Sequence, residues 1–349
     1  MRNFTFKGLF LAVVFMVLGS LSIQAADGDL ITKQITIKLE EAGTLPSKIG
    51  DTKKYKITNL KIMGEINGTD LCFIREMAGS DREGWRTEGK LATLDLSGAK
   101  IVRGGGIYYN SVNCYTSDDV IGNYAFSDCS GLTSLILPSN VTSIGYSAFY
   151  GCIRLTSLTL PSSVTSIGSS AFEGCRSLFS LTLPSSVTEI GESAFRGCHS
   201  LASLTLPSSV TEIGESAFRG CSGLTSLTLP SSVTSIGKSA FEGCSGLTSI
   251  YVSWESPLSI DASTFKDANT GKCILYVPKG TYDDYWLSNW GIFENIVEYD
   301  ATGIDHITTS GEAKEISRYA ADGQRLEVPA KGLNIVKYSD GSVKKVVVQ

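Results

Sequence analysis

Nine cysteines and two histidines carry most of the chemistry this chain could perform. Six of the cysteines, Cys129, Cys152, Cys175, Cys198, Cys221 and Cys244, recur every 23 residues, while Cys72, Cys114 and Cys273 fall outside that series. Cysteine supports disulfides, metal sites or nucleophilic catalysis, and the spacing argues against each. Equivalent positions on parallel neighbouring strands lie about 4.8 Å apart with parallel Cβ vectors, whereas a disulfide needs Cβ atoms about 3.5–4.5 Å apart. Metal ligands must converge on a point, but a regular series spreads them along an axis. A nucleophilic thiol needs an adjacent base, and the neighbours in each repeat are apolar. The six are therefore expected to be free thiols packed as small buried hydrophobes.

The remaining candidates are weaker. His199 occupies a slot filled by Ile153, Arg176, Ser222 and Ser245 in other repeats, so it reads as an exposed bystander, and His306 falls in a linker. Glu192 with Arg196, and Glu215 with Arg219, are spaced as i,i+4 pairs on a solvated turn, worth a few tenths of a kcal/mol. Gly104-Gly105-Gly106 lacks the following helix and Lys of a phosphate loop and reads as a flexible insertion. No catalytic, cofactor-binding or metal-binding residue is assigned, and the chain is read as a non-enzyme.

The elements that position these residues come from an internal repeat. Leu160–Thr182 reads LPSSVTSIGSSAFEGCRSLFSLT, and Leu137–Thr159, Leu183–Thr205, Leu206–Thr228 and Leu229–Tyr251 follow the same 23-residue pattern without insertion. A partial unit leads in at Val120–Ile136, and a degenerate one follows through SIDASTF and CILYVP. Within a unit, Leu178, Leu181 and Leu183 give L-x-x-L-x-L, whose last two alternate about Thr182 as strand residues do. Pro184 ends the strand because it has no amide hydrogen to donate. Val187 and Ile190 point inward, Gly191 permits a turn, and Glu192–Arg196 makes one short helical turn carrying Ala194 and Phe195. One coil buries too little to fold alone, so stability must come from stacking coils into a shared core.

This unit is similar to the BspA-like leucine-rich repeat family of bacterial surface proteins. The resemblance is close over about Val120 to Val297 and looser upstream, in YKITNLKIM at Tyr55–Met63 and LATLDL at Leu91–Leu96. It implies an α/β solenoid: a curved parallel β-sheet with short helical turns on the convex side. It also implies export, surface display, and adhesion to host or bacterial surface and extracellular-matrix proteins.

The composition agrees with a folded chain. Of 349 residues, 42% are hydrophobic and 19% charged, outside the composition of disordered chains. The net charge of −5 comes with no basic stripe, which argues against a nucleic-acid partner. Arg2 and Lys7 precede LFLAVVFMVL at Leu9–Leu18, and small residues follow to Ala25, the layout of a secretory signal peptide. Four segments are expected: a signal peptide at 1–25, an N-terminal cap region at 26–106, the solenoid with its C-terminal cap at 107–300, and a small C-terminal β-module at 301–349. The last carries turn signals at Asp322-Gly323 and Asp340-Gly341, and is either a structural module or a surface-sorting tail. No transmembrane segment is expected after cleavage; the signal peptide, with what the resemblance implies, gives a secreted or cell-surface location in a bacterium as the expectation.

The best binding candidate is the concave strand face, a ladder of Ser and Thr with little charge. Its candidate residues are Ile136, Thr159, Phe179, Thr182, Thr205, Thr228 and Tyr251, in which Ile136, Phe179 and Tyr251 interrupt the polar ladder as anchors. Trp254, Tyr282, Tyr285, Trp286 and Trp290 cluster after the last full repeat and read as a capping layer. An alternative function is a glycan-binding component of a surface polysaccharide-uptake system, with Trp254, Trp286 and Trp290 as an exposed platform. An enzyme within residues 32–106 would need a polar cleft there.

Overall fold

The computed structural model describes residues 29–299, and beyond them the backbone of Glu315–Ala320, Arg325–Leu326, Gly332–Tyr338 and Val343–Val348. The expected signal peptide at 1–25, His306 and the two Asp-Gly turns lie outside the described residues.

The L-x-L segments form the spine. Each contributes one strand to an eleven-stranded sheet. Parallel pairing aligns Leu94, Leu135, Leu158 and Leu181 in one row, and Leu204, Leu227, Ile250 and Leu275 in the same inward position further along. A one-residue slip would expose this leucine set, so the inward pattern fixes the register. The sheet also runs upstream of the regular repeats. Ile35–Lys38, Asn59–Ile66 and Thr93–Ile101 pair in parallel with one another and onto Ser134–Ile136, so the ladder begins inside the region read as an N-terminal cap.

A second ladder was not legible in the sequence. Val120–Ile121, Ser143–Ile144, Ser166–Ile167, Glu189–Ile190, Glu212–Ile213 and Ser235–Ile236 pair as a narrow six-stranded sheet that stacks the inward isoleucines. Between the two sheets lies the core, in which Phe126, Phe149, Phe172, Phe195, Phe218, Phe241 and Phe265 stack with centroids 5.1–5.4 Å apart and planes within 8°.

The segment expected as a short helical turn is not α-helical. Its amides bond from coil to coil: Ser193 N–H donates to the Glu215 carbonyl, Phe195 to Ala217 and Gly197 to Arg219, at 2.7–2.8 Å. Ser147, Ser170, Ser193, Ser216 and Ser239 adopt φ of 50–56°, a left-handed conformation that a continuing helix forbids. The expected Glu192–Arg196 and Glu215–Arg219 pairings give way to pairs between coils, Arg196 with Glu173 at 3.7 Å and Arg219 with Glu242 at 3.0 Å. Gly191 serves close approach and not a positive φ: a Cβ there would lie 2.6 Å from the Ser169 nitrogen of the preceding coil.

Both ends of the solenoid are covered. Upstream, the helix Gly68–Met77 opens with a capping box in which Asn67 and Asp70 bond each other's backbone. The buried Arg75 of this helix ties it to the first coil. Its Nη1 donates to the carbonyls of Tyr124 (2.6 Å) and Ala125 (3.3 Å), and its Nη2 to Ser80 Oγ and the Asp81 carbonyl. The three glycines read as a flexible insertion instead begin a strand, Gly104–Tyr109, paired antiparallel with Cys114–Thr116. The strand closes against the helix, with Gly106 N–H donating to Thr69 Oγ1 at 3.0 Å, an approach that a Cβ on Gly105 or Gly68 would block. Downstream, Phe265 packs on Trp290 (5.4 Å) and Phe293 (5.2 Å), which cover the last ring of the stack.

Residues 299–349 form a separate unit. Its described strands make a four-stranded antiparallel sheet in the order Arg325–Leu326, Glu315–Ala320, Gly332–Tyr338, Val343–Val348.

Candidate binding face

Strand alternation places every second residue of the spine outward, and register lines these residues up. Ile136, Thr159 and Thr182 align, as do Thr205, Thr228 and Tyr251, and with the Ser180–Ser203 pairing they form one outward row. From Ile136 to Tyr251 there are five strand steps, about 24 Å at ~4.8 Å each. Phe179 does not belong to this row. It lies one position before the strand, between Thr156 and Ala202 of the flanking coils, and is 63% exposed. The candidate residues therefore fall on two rows of one surface, with the exposed Ser157–Ser180–Ser203 row between them.

The two rows differ in chemistry. In the Phe179 row, Thr156 donates its hydroxyl to the Thr133 carbonyl (3.0 Å), Thr225 to Ala202 (3.2 Å) and Thr248 to Thr225 (2.9 Å), so these hydroxyls are spent holding coils together. Phe179 and Ala202 interrupt that series. In the first row the hydroxyls of Thr159, Thr182, Thr205 and Thr228 take no partner among the described residues. Each offers one donor and two acceptor sites to a ligand.

The row continues past both ends of the predicted set. Lys61 and Asp95 precede Ile136 in register, joined by a 2.8 Å ion pair. Partial burial acts to raise the Asp95 pKa, but hydrogen bonds from Lys61 and Ser97 outweigh it and hold the carboxyl below its ordinary range. At the other end Tyr276 stacks on Tyr251 with centroids 4.4 Å apart and planes 5° apart. Burial, reinforced by the Tyr276 hydroxyl, raises the Tyr251 pKa. The row is thus charged at one end, apolar at Ile136, hydroxyl-rich in the middle and aromatic at the other end. Tyr276 was discoverable: IYV at Ile250–Val252 and LYV at Leu275–Val277 share a pattern, spaced 25 residues apart instead of 23. Lys61 and Asp95 lie where the period is too irregular to show their register.

The cysteine series behaves as its spacing predicts. All nine cysteines are free. Cys152, Cys175, Cys198, Cys221 and Cys244 each donate a weak S–H bond to the carbonyl of Phe126, Phe149, Phe172, Phe195 and Phe218 respectively, at 3.1–3.2 Å. Burial raises their pKa values, to about 12 for Cys198 and Cys244. Folding then holds the protonated form more tightly than the unfolded chain does. Their contribution to stability is full below about pH 9, the ordinary thiol value, and is lost as pH rises from there through about 12. In an alkaline titration followed by thiolate absorbance, the ladder thiols are expected to ionise together with unfolding; ionisation in the folded protein near pH 9 would contradict their burial.

Cys72 sits in a polar pocket of about 290 Å³ inside residues 32–106, with Glu76, Asp81 and Arg82. Burial raises its pKa, and its sulfur faces Glu76 Oε1 at 3.9 Å, which disfavours a thiolate. Among the described residues, no three His, Cys, Asp or Glu side chains converge on a point. His199 is exposed and its Nδ1 donates to the Gly220 carbonyl at 2.8 Å. Trp254 and Trp290 are buried, with their indole N–H groups bonded to the Val233 and Leu258 carbonyls, so the three-tryptophan platform is not formed; only Trp286 is exposed.

No curated protein matches the chain. Among solved structures, the chain is similar to a leucine-rich repeat protein of T. pallidum, at 38% identity over 38% of this chain and 64% of that one, with a TM-score of 0.37. It is similar to a leucine-rich repeat protein of Bacteroides ovatus at 31% identity over 47% and 48%, with a TM-score of 0.38. It is also similar to a leucine-rich cell surface protein of Faecalibacterium prausnitzii, at 20% identity over 74% and 81%, TM-score 0.36. The chain thus spans less than two thirds of the length of the first two. No helix among the described residues is long and apolar enough to cross a membrane. The model of the BspA type leucine rich repeat region, a repeat scaffold and not an enzyme family, matches in six copies over residues 119–248 and 167–277. With its parallel ladder, phenylalanine stack and cysteine series, the solenoid built on these residues belongs to the BspA-type leucine-rich repeat family.

Proposed function

We propose that this protein is an exported, surface-associated binding protein that captures a host or bacterial surface protein, or an extracellular-matrix protein, without catalysis. The observation that carries this reading is the outward row from Ile136 to Tyr276. It offers unspent hydroxyls between apolar and aromatic ends, over six strand steps, about 29 Å, which matches about nine residues of extended peptide at ~3.3 Å each. Large side chains near the ends anchor such an interface, and the hydroxyls adapt to the partner's backbone. Phe179, on a further row of the same surface, adds another exposed anchor. The sorting role of residues 301–349 and the signal peptide belong to this reading as its route to the surface.

The experiment is capture of extracellular-matrix and bacterial-surface proteins by the mature chain, repeated with Phe179→Ala and Tyr251→Ala combined. Capture weakened more than about tenfold, a loss of about 1.4 kcal/mol, is expected. Capture unchanged by the double substitution would move the site off the strand face. Phe179 is solvent-facing and Tyr251 half-buried, so circular dichroism of the variant checks that the fold is retained.

A further inference from the structure

A trough of about 540 Å³ lies on the turn edge of the coils, away from the strand face. Its floor is Gly151, Gly174 and Gly197, one per coil, at φ of 67–74°, where the missing side chains leave a channel. The residues before each glycine and two after it line the channel, and the loop bearing Arg86 completes the lining. These flanking slots are where otherwise near-identical repeats differ. The slot after the glycine holds Ile153, Arg176 and His199 within the trough, then Ser222 and Ser245 beyond it.

The charge of the trough opposes that of the chain. The whole chain carries −5, yet Arg86, Arg176 and Arg196 line this channel against Asp128 and Glu173. Of the two acids only Glu173 has its charge paired, so Arg86 and Arg176 stand against the single charge of Asp128. Glu173 lies 3.7 Å from Arg196 and accepts the Ser170 hydroxyl at 2.7 Å, and Asp128 accepts the Ser127 hydroxyl at 3.1 Å. The side chains of Arg86 and Arg176 have no partner among the described residues. Further along the edge the charge is balanced, since Arg219 pairs with Glu242 at 3.0 Å. At the first coil of the trough Tyr150 and Ile153 are exposed apolar groups beside these cations.

We propose that this trough is a second binding site, for an extended acidic peptide segment of a partner protein. Arg86 and Arg176 would take its carboxylates in forked hydrogen bonds, and Tyr150 with Ile153 would take an apolar side chain. The apolar pair favours a peptide over an acidic polysaccharide, which has no side chain to place there. The site is independent of the strand face.

The test uses a fluorescein-labelled oligoglutamate peptide ending in leucine, followed by fluorescence anisotropy on the full chain. Binding is expected, and is expected to weaken more than about tenfold with Arg86→Glu and Arg176→Glu combined. It should also weaken as salt shortens the range of charge attraction. The double substitution Phe179→Ala, Tyr251→Ala is expected to leave it unchanged, which separates this site from the strand face. Both arginines are surface groups, and an unchanged circular dichroism spectrum shows that the variant is folded. Absence of peptide binding, equal binding by the arginine variant, loss of binding in the strand-face variant, or preferential binding of polygalacturonate over the peptide would overturn the proposal.

Discussion

Phe195→Ala is expected to cost about 3–5 kcal/mol of unfolding free energy, the range for emptying a large aromatic site in a packed core. Phe195 is fully buried, and its ring lies 5.2 Å from both Phe172 and Phe218. Truncation removes one plate from a stack of seven, so both neighbouring coils lose contact at once. A solenoid cannot spread that loss, because each coil touches only the next. The weakened junction is therefore expected to split denaturant unfolding into two phases. The control is Phe179→Ala, the same chemical change sixteen residues upstream on an exposed site, expected to stay within about 0.5 kcal/mol of the parent. A cost below about 1 kcal/mol for Phe195→Ala would show that the stack is not what joins the coils.

Arg75→Met is expected to cost a similar amount, about 3–5 kcal/mol, since each buried carbonyl left without its donor costs about 1–3 kcal/mol. Arg75 is fully buried, and no carboxylate neutralises it among the described residues. Its charge is held by three backbone carbonyls, the Ser80 hydroxyl and the face of Tyr109 at 5.0 Å. Methionine fills much of the volume but leaves the carbonyls of Tyr124, Ala125 and Asp81 without this donor. Lysine keeps the charge but cannot reach several carbonyls with a planar fork, so Arg75→Lys is expected to recover only part of the loss. Hydrogen exchange localises the effect. The helix Gly68–Met77 should lose protection before the repeats do, and equal protection in variant and parent would contradict its role as the tie between the upstream region and the first coil.

The fold was readable where the sequence repeats and obscure where it does not. A fixed 23-residue period leaves little freedom for Leu158, Phe172 or Cys175, because each must meet its counterpart in the next coil. The narrow sheet through Ile144 and Ile167 escaped detection because two-residue strands carry no alternation. The turn at Gly191–Cys198 carries helix-compatible residues, and the coil-to-coil amide bonds, which depend on neighbours, together with the left-handed backbone at Ser193, exclude a helix. Upstream, Asn59–Ile66 and Thr93–Ile101 join the same ladder through spacings of 34 and 41 residues, which no period reveals. The binding face was legible in part. Alternation alone assigns Thr159 or Thr182 outward, but it cannot separate spent from free hydroxyls or place Phe179 on its own row. The turn-edge trough was invisible, because each of its residues looked like tolerated variation in a surface slot.

Hydrogen–deuterium exchange of the full chain with and without a captured protein partner tests the central claim most directly. Capture along the strand face predicts new protection in the segments Ser157–Thr159, Ser180–Thr182 and Ser249–Val252 and at Phe179, with the narrow sheet through Ile167 and Ile190 unchanged. Protection confined to the narrow sheet or the end caps, with those strands unaffected, would contradict it.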